Sequence, residues 1–100
     1  MVKEREIICQ DALECVLKDE FPPRRYSLGT YLEDAICMEK INDSIWNVYY
    51  GSRSSKDQLV VCNNVVSACL ELIHKLCNND ATETRIGEAF LDRIIIKKSA

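Results

Sequence analysis

Residues 64–76 set the condition that the rest of the chain has to meet. Val65, Ala68, Cys69, Leu72, Ile73 and Leu76 recur at helical spacing, and Val66 and Leu70 widen the apolar face until only Ser67, Glu71, His74 and Lys75 remain as a polar stripe. A helix this widely apolar must be covered on most sides, so it is expected at the centre of the fold, packed across a sheet. Asn64 stands where an N-cap is needed, its side-chain oxygen placed to accept a backbone N–H of the first turn, and Asn78-Asn79 end the segment.

The flanking segments supply the cover. Over residues 3–19, Ile8, Ala12, Cys15 and Val16, with Cys9 and Leu13 beside them, predict an amphipathic helix. Phe21-Pro22-Pro23 ends it, because a proline ring blocks helix continuation and pushes the preceding residue to extended geometry. A linker through Arg24, Arg25 and Gly29 follows. Residues 35–41 alternate with a period of two, Ile36 and Met38 against Cys37, Glu39 and Ile41, which predicts a first strand. A helical turn across residues 31–39 is the alternative. Asn42-Asp43-Ser44 has turn chemistry, and residues 45–50 are rich in the aromatic and β-branched types that favour strands. Residues 51–57 read as a polar hairpin loop, and residues 58–62 as a short third strand bounded by Asn63-Asn64. Beyond the central helix, Asp80 followed by Glu83 resembles a capping box. Ile86, Phe90, Leu91, Ile94 and Ile95 then mark a last amphipathic helix, which runs into the β-prone Ile94-Ile95-Ile96.

The expected fold class is α+β: a three-stranded antiparallel meander with helices packed on one face, in the order α-β-β-β-α-α. At 100 residues the chain is the size of one core, so residues 1–100 are taken as a single domain. One sheet face is expected to carry Ile36, Met38, Trp46, Val48, Tyr50, Leu59 and Val61 toward the helices. The other then carries Cys37, Glu39, Asn47, Tyr49 and Val60, a mixture suited to meeting another protein unless the last helix covers part of it.

The N-terminal segment lacks the continuous apolar stretch of a secretion signal, and no apolar run approaches the ~20 residues of a membrane span. A cytoplasmic, membrane-free protein is expected, in which the six cysteines stay as thiols. None of them shows the short paired spacing that brings two thiolates onto one zinc, so they read as small core hydrophobes, with no metal or cofactor implied. Cys37 and Cys62 are expected on the second sheet face, the rest on helical stripes. His74 and Cys77 lie three apart on one helix, but a dyad also needs an orienting group and an oxyanion site, and no residue nominates either. The loop at Gly51 lacks the glycine-lysine pattern of a phosphate cradle. A net charge of -3 and a pI near 5.1 argue against nucleic acid as a partner. The carboxylates of Glu33, Asp34, Glu39 and Asp43 read as solvated surface that can also steer a basic partner.

Three stretches carry a family likeness: Tyr26-Ser27-Leu28-Gly29, the tryptophan-led strand and turn Trp46-Asn47-Val48-Tyr49-Tyr50-Gly51-Ser52-Arg53, and Ala68-Cys69-Leu70-Glu71-Leu72-Ile73-His74-Lys75-Leu76. As a set they resemble small bacterial immunity proteins of polymorphic toxin systems. Around Arg53 this chain departs from the pattern, with Ser52 and Ser54 in place of a charged residue and a glycine. The resemblance implies a non-enzymatic protein that binds a cognate toxin domain and blocks its active site in the producing cell. On that reading Glu33, Asp34, Glu39, Tyr49 and Arg53 are the expected toxin-binding residues, and the net negative charge favours a basic toxin surface. The alternative is a non-enzymatic regulatory or adaptor module that binds a host protein, homodimeric through the open sheet face or the Ile94-Ile95-Ile96 segment.

Overall fold

The computed structural model describes residues 3–99, with side chains for residues 4–95. Helix α1 (Lys3–Leu17) leads through a 3-10 turn (Pro23–Arg25) into strand β1 (Tyr26–Leu28). Strands β2 (Ile36–Asn42), β3 (Ile45–Ser52) and β4 (Ser55–Cys62) follow, then helices α2 (Val65–Leu76) and α3 (Asp80–Ser99). The sheet has four strands in the order β1-β2-β3-β4; β1 runs parallel to β2, and the other pairs are antiparallel. The fold is thus α+β, with a mixed sheet of four strands where a meander of three was expected. The extra strand lies in the stretch read as a linker. With only Tyr26, Ser27 and Leu28, it is too short for a two-fold pattern to emerge, and its pairing with Ile36, Cys37 and Met38 is non-local.

Helix α2 takes the central place that its apolar face demands. It packs against β2, β3 and β4, and buries Val65, Ala68, Cys69, Leu72, Ile73 and Leu76. Asn64 caps it as expected, its Oδ1 accepting the Ser67 N–H at 2.8 Å. On the outside of α2, α1 and α3 pack against it and each other, α1 through Cys9, Ala12, Leu13, Val16 and Leu17 and α3 through Ile86, Phe90 and Ile94. Phe90 is wholly buried, and its truncation to alanine would cost about 3–5 kcal/mol.

Two helix ends differ from the sequence reading. Helix α1 stops at Leu17, whose carbonyl accepts the Glu20 and Phe21 N–H groups at 3.0 and 2.9 Å, before the prolines act. The cap of α3 is Asn79, whose Oδ1 accepts the Thr82 N–H at 2.8 Å. Asp80 is already helical, and Glu83 turns to His74 instead of reaching back toward the cap. Helix α3 continues through Ile94-Ile95-Ile96 without a strand.

In the sheet, Ile36, Met38, Trp46, Val48 and Tyr50 face the helices as expected, but β4 is inverted. Val60 and Cys62 pack inward, whereas Leu59 and Val61 are 40% and 57% exposed. Tyr50 pairs with Asp57 and Val48 with Val60, so Gln58 and Leu59 together oppose Tyr49 in a bulge, with Gln58 at φ 55. One inserted residue exchanges the faces of all that follow. Cys62 therefore belongs to the helix-side core, and Cys37 alone of the two lies on the second face. No described helix is long and apolar enough to cross a membrane.

Candidate functional site

All three helices lie on one side of the sheet, so the second face is left to residues 29–35, the link between the parallel strands β1 and β2. Gly29 starts this link at φ 127, a conformation that favours glycine, and donates its N–H to the Met38 carbonyl at 2.8 Å. The chain then crosses over Cys37, Tyr49 and Gly51. Gly51 is required there, because a Cβ would run into the Leu32 carbonyl. The Gly51 N–H bonds the Ala35 carbonyl at 2.9 Å, and the Asp34 N–H bonds the Gly51 carbonyl at 2.7 Å. Cys37 Sγ accepts the Leu32 N–H at 3.3 Å, and the ring of Tyr31 stacks on that of Tyr49 with centroids 6.2 Å apart.

The link is also fastened to the tip of the β3–β4 hairpin. Both strands run past the stretch read as a loop, and only Arg53 and Ser54 separate Ser52 from its partner Ser55. Both turn residues are left-handed, at φ 52 and 66, the requirement of a type I′ turn that Asn-Gly normally meets. The Glu33 carboxylate accepts the backbone N–H groups of Arg53 and Ser54, at 2.5 and 3.3 Å. Tyr31 Oη donates to the same carboxylate and accepts the Ser54 N–H at 2.8 Å. The Tyr31 hydroxyl first, and then these two N–H groups, hold the Glu33 carboxyl below its usual range, while the same bond raises Tyr31.

The structure brings the five expected binding residues to one place and divides their roles. Glu33 is exposed but spends its carboxylate on the turn, and Arg53 is an exposed turn residue. Asp34 is exposed at φ 60 and accepts a hydrogen bond from Tyr50 Oη at 3.3 Å. Glu39 stands at the foot of the cluster, paired with Lys56 Nζ at 2.9 Å, and Lys56 in turn lies 5.2 Å from the centroid of Tyr49. Tyr49 is fully buried under Tyr31, so it shapes the surface from below. Among the described residues its hydroxyl has no hydrogen-bond partner of good geometry; burial foremost, then the Glu39 carboxylate, push it well above the usual phenol range. Tyr31, Leu32 and Gly51 complete the cluster, and no sequence pattern marks them as binding residues. Their importance comes from contacts across the sheet, and the only local signal was Ser-Arg-Ser-Ser at the centre of an otherwise strand-compatible stretch.

None of the six cysteines is joined in a disulfide among the described residues. Cys9, Cys62 and Cys69 sit near one another in the helix-side core, where burial raises the Cys69 thiol. Among the described residues, no group of His, Cys, Asp and Glu is arranged to hold a metal ion. His74 Nδ1 pairs with Glu83, 2.9 Å from its Oε1, on the exposed side of α2. Comparison with protein-family models, with curated proteins and with solved structures returns no match to this chain.

Proposed function

We propose that this chain is an immunity protein, which binds a cognate bacterial toxin domain by protein–protein contact and so blocks it. The contact surface is the knuckle made by residues 30–34 and the Arg53-Ser54 turn. The observation that carries this reading is the backbone strain concentrated there: of the four left-handed residues other than glycine among those described, Asp34, Arg53 and Ser54 lie in it and only Gln58 lies outside. That conformation costs roughly 1–2 kcal/mol per residue, and such strain persists where the surroundings enforce it, commonly at ligand clamps. A loop held in advance by Glu33 and Tyr31 also loses little freedom on binding. It presents exposed Leu32, Asp34 and Arg53 to a partner, and the chain's net charge of -3 favours one with a basic surface.

The test is co-expression with the toxin domain encoded next to its gene, scored as growth. Rescue by the native chain, lost on combining Leu32→Arg with Asp34→Arg, is expected. Failure of the native chain to rescue growth, or full rescue by the double variant, counts against the reading. The alternative of a homodimeric regulatory or adaptor module draws support from a different feature, the free edge of β4.

A further inference from the structure

We propose that two copies of this chain pair edge to edge through the C-terminal half of β4, joining their sheets into one. The two edges of the sheet are guarded differently. Strand β1 is only three residues long, the kind of edge that offers little to a second chain. Strand β4 is eight residues long and contains no proline. Its one lysine, Lys56, does not guard it, because the ammonium folds back across the sheet onto Glu39 and the Tyr49 ring.

Which backbone groups are free follows from the ladder. Gly51 turns its N–H and C=O to Ala35 and Asp34, away from β4. By alternation along β3, Trp46 and Val48 bond β4 and Asn47 bonds β2. Val61, opposite Asn47, therefore directs its N–H and C=O outward, and so does Leu59, on the other side of Val60. The bulge at Gln58 limits the usable edge to the stretch that follows it.

That stretch is self-complementary. With a two-fold axis through Val60, Leu59 lies opposite Val61 of the second copy, and Gln58 opposite Cys62. Asp57 and Lys56 lie before the bulge, outside the paired stretch, so no like charges face each other. Moving the axis to Gln58 would set Asp57 against Leu59 and Lys56 against Val60. The Leu59 and Val61 side chains, exposed in the single chain, form two apolar cross-strand pairs in the dimer. So short a seam belongs to the weak class of interfaces, and the dimer is concentration-dependent.

The experiment is sedimentation equilibrium of the purified full chain across a wide concentration series. A mass rising toward twice the 11.5 kDa of one chain is expected. Val61→Lys puts like charges beside the seam, and Val61→Pro removes an outward N–H without taking a ladder bond from β3; each is expected to leave one chain's mass, with the far-ultraviolet circular dichroism of the native protein. Val61→Lys at an exposed position keeps the test open if the proline variant fails to fold. A native chain that stays at one mass throughout overturns the proposal, as does a dimer that survives both substitutions. A monomer whose Val61→Lys variant loses toxin binding assigns the edge to that partner and overturns self-pairing.

Discussion

The carbonyl oxygen of Leu32 rests on the Cα of Gly51, where no Cβ fits. Because the obstacle is backbone on both sides, no side chain can rotate away to make room. Gly51→Ala is expected to destabilise the protein by about 1–3 kcal/mol, read as a lower urea midpoint with an unchanged slope. A midpoint equal to that of the native chain would show that residues 29–35 do not press on the hairpin.

The bond between Glu33 and the turn has its own titration. The folded-state carboxyl is lowered from the ordinary 4.5, so its contribution is present above that value and lost as pH falls through the lower folded-state one. The amide resonances of Arg53 and Ser54 are expected to titrate together with a midpoint below 4.5, and Glu33→Ala should abolish the transition. A midpoint at or above 4.5 would remove Glu33 from this role.

His74 and Glu83 give the opposite sign. Hydrogen bonding to Glu83 foremost, with Glu71 adding and Lys75 opposing, raises His74 above its ordinary 6.5. Its stabilising effect is complete below 6.5 and disappears as pH rises through the raised folded-state value. Its side chain is 61% exposed, so screening holds the effect to under about 1 kcal/mol. A shallow fall in melting temperature across that window is expected, flattened in His74→Gln. An identical slope in the variant would place its origin elsewhere.

Thiol reactivity should divide the six cysteines by depth. Half-buried Cys15 and Cys77 are expected to react first with a disulfide reagent, and Cys77 slowly, since burial raises its thiol. Cys9, Cys37, Cys62 and Cys69 are buried and should wait for opening. Only Cys37 lies under residues 29–35, so Gly51→Ala should speed its labelling over that of the other three; equal acceleration of all four would mean global unfolding.

The helices were legible because burial patterns repeat within a few residues. The six buried positions of α2 and its Asn64 cap could be read directly, and so could the Ile86, Phe90 and Ile94 stripe of α3. Distant partners decided the rest. Nothing near Tyr26-Ser27-Leu28 announces the strand, because its partner lies beyond the link. The faces of β4 turned on Gln58, a residue that looks ordinary in a strand. Arg53-Ser54 hid a tight turn because its left-handed geometry rests on Glu33 and Tyr31, not on turn chemistry of its own. Glu33, Asp34 and Arg53 were singled out through charge and resemblance, while Tyr31, Leu32 and Gly51 could be placed with them only once the sheet was folded.

The groups on which Tyr31, Leu32 and Glu33 rest, namely Cys37, Tyr49, Gly51, Arg53 and Ser54, all come later in the chain. During synthesis, which delivers the N-terminal part first, these three residues emerge before anything that can fix them. The knuckle therefore takes its shape only after β3 and the turn have followed, but the order of translation supplies all of its parts before α2 and α3.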